Sequence, residues 1–388
     1  MNYNFDEIID RKGTDCVKHD ALETFFGRDD LLPMWVADMD FKAPQPVIEA
    51  LRKRLDHEVL GYATAPQRYW DTMRQWLKSH YQIDAAQESL HFIPGIVAGI
   101  SFALQAITNP SDSILVTTPV YPPFLNLPKA GGRQLRCSAL KVVNGRFEID
   151  FDEFEWMAQQ SRLLILSNPH NPGGTVWGRE VLARIAEVCY RYNVLVISDE
   201  IHADLTLPGH KHVSFSTVSE QARDISITFV APSKTFNIAG LGSSICYVPN
   251  EKLRKRYFDY LDGYELANGN IFAFAGAEAA FTHGKEWLDQ LLPYLSDNAT
   301  FVGDYLKVHL PQAKAVIPEA SYLAWIDLSA LNFSHDELKR RLLNQARVAL
   351  NDGTTFGGQA YQCCFRLNFG CPRATLQEAL ERICKALQ

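Results

Sequence analysis

The central part of the chain, from about residue 95 to residue 249, alternates short apolar runs with helical patterns. The runs hold four to six residues each and are rich in branched side chains, which is typical of strands buried on both faces. Strands that alternate with helices favour a mainly parallel sheet with helices packed on both faces. The predicted strands span residues 114–117, 163–166, 194–197, 225–230 and 244–248.

The residues on either side of this core predict two further regions. Residues 1–45 show no regular pattern and are predicted to form an arm that packs with the smaller domain. Residues 46–283 are predicted to form the large domain of an α/β fold. In residues 284–388, helices alternate with strands predicted at 322–327 and 364–368, which indicates a smaller α+β domain.

Composition excludes several classes of function. The 388 residues are 47% hydrophobic, which allows a large core. The net charge is −7 and the 38 basic residues are scattered, so neither nucleic acid nor a membrane surface is an expected partner. The first residues include two acids by Glu7 and no apolar stretch, so we expect no secretory signal, and no apolar run approaches membrane-spanning length. Its eight cysteines lack Cys-x-x-Cys spacing, so we expect no disulfide framework, no metal site and a cytoplasmic location.

Lys234 occupies a position that suits a nucleophile. The predicted strand 225–230 ends at Pro232, and Ser233 and Lys234 follow at once. Ligands of open α/β sheets bind at the carboxyl ends of the strands. A lysine in a partly dry setting has a lowered pKa, so its amine can attack a carbonyl and form a Schiff base. An isolated Ser-Lys pair is more often a solvated loop, so the neighbouring residues must decide.

Other predicted strands end in residues that also suit a ligand site. Tyr121 follows strand 114–117 and offers an aromatic face to a planar ring. Asn171 follows strand 163–166 and can donate to a phenolate oxygen, although structural turns use the same residue type. Asp199 is the first acid beyond strand 194–197, and a buried carboxylate there requires a partner or acts as a cap.

Two further features complete a chemical pattern. Gly95 precedes a helical stretch whose first N–H groups can bind an anion. Arg366 lies in the predicted strand 364–368, where its guanidinium can hold a carboxylate bidentately. Together these features match pyridoxal phosphate and an amino-acid substrate. They are an anion-binding helix start, an aromatic side chain that can stack, a donor to a phenolate oxygen, a carboxylate, a reactive lysine and an arginine that can bind a carboxylate.

An ordered set of motifs runs nearly from end to end of the chain. The motifs are Trp35-Val-Ala-Asp-Met-Asp-Phe41, Gly61-Tyr62, Pro119-Val-Tyr-Pro-Pro-Phe124, Asn168-Pro-His-Asn-Pro-Gly-Gly174, Ser198-Asp-Glu-Ile-His202, Ser233-Lys-Thr-Phe-Asn-Ile-Ala-Gly-Leu241 and Arg366-Leu-Asn-Phe-Gly-Cys-Pro-Arg373. In this set the sequence resembles fold-type I pyridoxal-phosphate enzymes of the class I/II aminotransferase superfamily, and within it the MalY/PatB cystathionine β-lyase group. The resemblance implies an aspartate aminotransferase-like fold.

The resemblance also implies roles around the cofactor ring. Lys234 would bind pyridoxal 5′-phosphate as a Schiff base and later take the substrate Cα proton. Asp199 would pair with the pyridine nitrogen, and Asn171 would meet the ring oxygen. Tyr121 would stack on the ring, and His202 would lie near the cofactor.

Other implied roles concern the phosphate and a second subunit. Ser233 and the backbone of Ile96 and Val97 would bind the phosphate. Tyr62 would reach the phosphate and substrate region of the neighbouring subunit. The resemblance therefore implies a homodimer with active sites shared across its interface.

At the substrate end, the resemblance assigns the carboxylate to Arg366 and places Asp38 at the border of the pocket. The implied reaction is α,β-elimination from cystathionine or a related cysteine S-conjugate to a thiol, pyruvate and ammonia, within sulfur amino acid metabolism and methionine biosynthesis. An aminotransferase remains the alternative, because the same lysine, aspartate and arginine serve both reactions. The segment 358–365 departs from the family pattern by having fewer glycines, which affects the substrate end.

Other classes of function fit the residues less well. A cofactor-bearing interaction protein has no marked partner surface in the sequence. A dinucleotide-binding oxidoreductase would need a glycine motif that opens a helix, whereas Gly240-Leu-Gly242 precedes a strand. A metal hydrolase would use an acid and histidine cluster, but the spacing here matches no familiar ligand motif. The cluster consists of Glu200, His202, Asp204, His210 and His212.

Overall fold

The computed structural model describes residues 2–388. Its strands are β1 (Leu32–Pro33), β2 (Leu90–Ile93), β3 (Ser113–Thr118), β4 (Gln134–Val143), β5 (Arg146–Ile149), β6 (Leu163–Ser167), β7 (Leu195–Asp199), β8 (Ser226–Val230), β9 (Ser244–Tyr247), β10 (Lys314–Val316), β11 (Leu323–Asp327), β12 (Val348–Ala349), β13 (Asn351–Asp352) and β14 (Cys364–Asn368). They form an eight-stranded sheet, a four-stranded sheet and the β1–β12 pair.

Helices cover these sheets. They are α1 (Val17–Asp20), α2 (Leu22–Phe26), α3 (Gln45–Leu55), α4 (Gln67–Tyr81), α5 (Ile96–Ile107), α6 (Pro122–Ala130), α7 (Phe151–Ala158), α8 (Arg179–Arg191), α9 (Glu220–Ile225), α10 (Pro232–Thr235), α11 (Glu251–Gly263), α12 (Ile271–His283), α13 (Lys285–His309), α14 (His335–Arg340) and α15 (Arg373–Leu387). A π-helical turn, Arg341–Ala346, continues α14.

The eight-stranded sheet has the order β2-β9-β8-β7-β6-β3-β4-β5. Its strands β4, β3, β6, β7 and β8 are parallel to one another. All five residues of β6 and of β8 are buried, as expected for strands covered on both faces. Helix α8 has an apolar face of the kind that packs on a sheet. Its residues Leu182, Ile185, Ala186 and Cys189 recur at helical spacing and are all buried. The predicted mainly parallel sheet with helices on both faces is confirmed.

The edges of this sheet differ from the expected alternation. Strand β9, predicted as one more strand of the series, pairs antiparallel with both β8 and β2. At the other edge, β4 and β5 form a hairpin through Asn144 and Gly145, which have φ values of 51° and 76°. Two successive positive φ angles are the geometry of a tight turn that matches the twist of the strands, and Asn-Gly favours it.

The smaller sheet has the order β10-β11-β14-β13, and all its pairs are antiparallel. One of its two inner strands, β14, carries Arg366, which pairs in register with Trp325 on β11 and with Asn351 on β13. The arm, expected to be irregular, contains α1 and α2, and its strand β1 pairs with β12. These pairings position the arm and Arg366 beside the carboxyl ends of the large sheet.

Within residues 2–388, no helix combines the length and the apolar character needed to cross a bilayer.

Candidate active site

A cavity of about 170 Å³ lies where the parallel strands of the large sheet end. Strands β6, β7 and β8 run in the same direction in register, so the segments that follow them meet at one edge. Many of the predicted residues line this cavity together: Ile96, Val97, Tyr121, Asn171, Asp199, His202, Ser233 and Lys234. The lining also includes Ala37 of the arm, which brings the arm to the same site.

Lys234 lies on the short helix α10, directly after the buried strand β8. Burial, together with the charge of Arg366, lowers the pKa of Lys234 to about 8, although Asp38 and Asp199 oppose this shift. The Nζ atom donates to the backbone carbonyl of Ala37. At pH 7 about a tenth of this amine is therefore uncharged and nucleophilic, far more than for a lysine with an ordinary pKa.

Asp199 is the last residue of β7 and is buried. One carboxylate oxygen, Oδ1, accepts the N–H of Ile201 at 3.0 Å. Burial raises the pKa of Asp199 to about 7. No lysine or arginine forms an ion pair with this carboxylate anywhere in residues 2–388. A cationic N–H in the cavity would therefore satisfy an otherwise uncompensated group.

The opposite end of the cavity suits an anion. Helix α5 begins directly after Gly95, and no side chain caps its first N–H groups. The free N–H groups and the helix dipole favour a negative charge at Ile96 and Val97. Ser233 and Ser243 also line this cavity, and the buried Ser243 Oγ has no hydrogen-bond partner among the described residues. These hydroxyls are suited to phosphate oxygens.

Tyr121 and His202 also line the cavity and offer flat faces to a planar ring. Tyr121 is half-buried at the start of α6 and lines the cavity. Its backbone N–H donates to the Asn171 carbonyl at 3.1 Å, which fixes the two segments relative to each other. His202 is buried, and burial together with the charges of Lys234 and Arg366 lowers its pKa to about 3. The imidazole is therefore neutral, and its Nδ1 has no partner within residues 2–388.

Arg366 is only 4% exposed and does not line the cavity directly. Its Nη1 donates to Asn171 Oδ1 at 3.0 Å, and its Nη2 donates to the Trp35 carbonyl and to Asn351 Oδ1. Burial lowers the pKa of Arg366 to about 10, so the guanidinium stays charged near neutral pH. Arg366 thus contacts Asn171, which lines the cavity, without lining the cavity itself. Its Cζ atom lies 5.0 Å from the centroid of the Phe356 ring.

Asp38 and Asp40 belong to an ionic network that holds the arm. Arg11 bonds both carboxylates, and the fully buried Lys18 bonds Asp40 at 2.7 Å. Burial alone would raise the pKa of Asp40, but Lys18, His19 and Arg11 hold it well below its usual range. The Asp38 side chain faces Arg11 and does not line the cavity, so its role toward substrate stays a prediction.

Tyr62 also lies outside the cavity of its own chain. It is fully exposed in the extended segment between α3 and α4. Within this chain it therefore has no contact with the other predicted site residues, and its role across a subunit interface stays a prediction.

Comparison with known proteins decides the family. The model of the family "Aminotransferase class I and II" matches residues 30–383. The chain belongs to this family. It is 43% identical to cystathionine β-lyase PatB of Bacillus subtilis (strain 168), over 99% of this chain and 100% of that protein.

Solved structures agree with this assignment. Cystalysin from Treponema denticola, whose crystal structure contains pyridoxal 5′-phosphate, superposes with a TM-score of 0.95 at 33% identity, covering 100% of this chain and 99% of that one. The PLP-bound C-S lyase from Staphylococcus hominis gives a TM-score of 0.93 at 34% identity, with 100% and 98% coverage. The predicted resemblance and the aspartate aminotransferase-like fold class are confirmed.

The structure adds residues that sequence reasoning missed in this aminotransferase-family site. The Ala37 carbonyl accepts from Lys234 and also from the Tyr322 hydroxyl at 2.9 Å. Ser243 lines the anion end, and Asn351 bonds the guanidinium of Arg366. Ala37 lies inside the Trp35–Phe41 motif, which was a usable signal. The sequence around Tyr322 and Asn351 shows only a polar side chain next to a buried strand. That pattern is common, so it does not single out these residues as part of the site.

Proposed function

We propose that this chain is a pyridoxal 5′-phosphate-dependent carbon–sulfur β-lyase. It cleaves cystathionine or a related cysteine S-conjugate to a thiol, pyruvate and ammonia. The observation that carries the proposal is that two unusual buried groups line the same cavity. One is Lys234, whose pKa is lowered to about 8, and the other is Asp199, which forms no ion pair with a lysine or arginine among residues 2–388. The lyase reaction is supported by the 43% identity, over the full length, to a protein named cystathionine β-lyase.

The residues of the site fit this cofactor. Two buried polar atoms of the cavity lining, His202 Nδ1 and Ser243 Oγ, have no hydrogen-bond partner among residues 2–388, and the Asp199 carboxylate, which accepts from the Ile201 N–H, has no cationic partner there. Buried polar groups are normally satisfied, so each marks a contact that a ligand would make. A ring N–H would satisfy Asp199, and a phosphate would satisfy Ser243 and the first N–H groups of α5.

When bound, the cofactor supplies a protonated ring that accepts the electron pair left at the substrate Cα. Lys234 first holds the cofactor and then removes the Cα proton at Nζ, for which a pKa of about 8 is well matched. Asp199 keeps the ring nitrogen protonated through its negative charge. Arg366 orients the substrate carboxylate. The sulfur leaves as a thiolate, whose parent thiol has a pKa of roughly 8.5, so no strong acid is needed.

The proposed assembly is a homodimer in the cytoplasm. Val59, Leu60 and Tyr62 are 62%, 60% and 112% exposed on the segment between α3 and α4. Neighbouring apolar side chains that project into solvent support contact with a second copy. From there Tyr62 would reach the anion end of the neighbouring cavity, so each site would need both subunits.

The test begins with the purified protein and L-cystathionine. We expect an absorbance of lysine-bound cofactor that borohydride removes, together with pyruvate and homocysteine in equal amounts. A Lys234→Ala variant serves as the control and should lack both signals. Amino transfer that depends on a keto acid, without pyruvate release, would instead assign the chain to the aminotransferases.

A further inference from the structure

Arg366 has little donor capacity left for a substrate. A guanidinium has five N–H donors, and three of those of Arg366 already reach protein acceptors. Both protons of Nη2 are in use, one on the Trp35 carbonyl and one on Asn351 Oδ1 at 2.7 Å. The buried Nε has no partner among residues 2–388.

A carboxylate bound bidentately needs two adjacent N–H groups. A guanidinium offers two such edges, one formed by Nε and Nη2 and the other by Nη1 and Nη2. Nη2 contributes to both edges, so neither edge is free while Nη2 retains both of its protein acceptors. A bidentate substrate must therefore displace either the Trp35 carbonyl or Asn351.

The Trp35 carbonyl is held by its surroundings. The carbonyl before it, that of Met34, accepts the N–H of Asn368, and the carbonyl after it, that of Val36, accepts from the Asn368 side chain. The Met34 N–H is bonded to the Ala349 carbonyl. The peptide groups on both sides are thus fixed, and moving the Trp35 carbonyl would break several bonds at once.

Asn351 is much less restrained. Its side chain makes one hydrogen bond within residues 2–388, the one to Arg366. It lines a second cavity of about 390 Å³. Phe25, at the rim of this cavity, is 61% exposed, so water reaches the space. A rotated amide therefore has both room and hydration.

We propose that Asn351 is a displaceable placeholder on Arg366, which occupies the position of the substrate carboxylate until substrate binds. The amide keeps the guanidinium oriented and hydrogen-bonded in the substrate-free site. On binding, the carboxylate replaces Asn351 Oδ1 on Nη2 and adds the unpartnered Nε, while the amide turns into the second cavity. The inference rests on the proposed role of Arg366 in substrate binding.

The placeholder sets substrate affinity, because every bound carboxylate must break one hydrogen bond to a charged group. In the holoenzyme, Asn351→Ala should bind propionate about fivefold more tightly by calorimetry, and the KM for cystathionine should fall by a larger factor than any change in kcat. Asn351→Asp places a fixed anion on Arg366 and should weaken propionate binding about tenfold or more. A merely structural asparagine would give weaker binding in the alanine variant, which would overturn the proposal.

A double-mutant cycle tests the second cavity. Leu343 lines this cavity and has no hydrogen bond to Arg366. Leu343→Phe should fill the space and weaken propionate binding about fivefold while Asn351 is present, but change it less than about twofold in the Asn351→Ala background. Equal effects in both backgrounds would show that the amide does not use the cavity.

Two controls separate the possible failures. Asn351→Ser repeats the test with a small polar side chain if the alanine variant loses its fold, which a melting curve reports. Arg366→Lys keeps the charge but removes the fork, and it should weaken propionate binding. If Arg366→Lys binds propionate as well as the wild type, the proposed role of Arg366 in substrate binding is wrong. If Arg366→Lys binds propionate more weakly and neither Asn351→Ala nor Asn351→Ser binds it more tightly, only the proposed role of Asn351 is wrong.

Discussion

The two halves of the candidate site are built in opposite ways. The half at the end of the large sheet contains buried groups with unfilled hydrogen-bonding capacity, such as Asp199 and Ser243. The half formed by the arm and the small sheet contains charged groups that are already paired within the protein, such as Arg366 and Asp40. Unfilled buried groups favour a ligand that stays bound, because its loss exposes their desolvation penalty. Groups with protein partners suit a ligand that exchanges at every turnover.

The largest test of this contrast removes Lys234. Lys234→Ala should lower kcat by roughly a thousandfold or more, because the general base and the covalent anchor are lost together. When both proteins are compared without cofactor, the melting temperature should rise or stay level, since a buried lysine without an ion-pair partner is replaced. Enzyme assays and borohydride-sensitive absorbance measure the first effect. A variant that kept a tenth of the activity would contradict the role of Lys234.

Asp199→Asn should have the next largest effect on chemistry. The amide keeps the size of the side chain but cannot hold a proton on a ring nitrogen through charge, so kcat should fall roughly a hundredfold. Asp199→Glu is the matched control, since it keeps the charge, and it should retain more activity than the amide. Equal loss in both variants would mean that position, rather than charge, is what the site requires.

The arm half should respond in stability instead of chemistry. Asp40→Asn weakens the contacts to Lys18 and Arg11 and should cost about 2 kcal/mol of unfolding free energy, measured in urea. The folded pKa of Asp40 is depressed, so its contribution is fully present above the unfolded value of roughly 3.9 and is lost as the pH falls through the lower folded value. The difference between wild type and variant should therefore persist near neutral pH and shrink in acid. A constant difference down to the acid limit would remove the ionic explanation.

The same contrast explains what was predictable from the sequence. Lys234 and Asp199 follow short apolar strands, and parallel strands bring their ends together whatever lies between them in the chain. The contact between Arg366 and the Trp35 carbonyl joins residues 331 positions apart, and no periodic pattern encodes it. The direction of strand β9, which lies between β2 and β8, was also not predictable, because an apolar run is the same in parallel and antiparallel pairs. The domain boundaries and the individual site roles remain predictions.

Tyr322 connects the two halves and gives the smallest expected effect. Its hydroxyl donates to the Ala37 carbonyl, which also accepts from Lys234, so one atom of the arm contacts both the segment that leads into β11 of the small sheet and the reactive lysine. Tyr322→Phe removes this hydrogen bond and leaves the ring in place, so unfolding in urea should become easier by about 1 kcal/mol. If the carbonyl also loses its alignment, the ammonium form of Lys234 loses an acceptor and its pKa falls, which the pH dependence of borohydride trapping with added pyridoxal reports. A change in stability without that shift would limit the Tyr322 hydroxyl to a structural hydrogen bond, and it would leave the arm and the cofactor half as independently built parts.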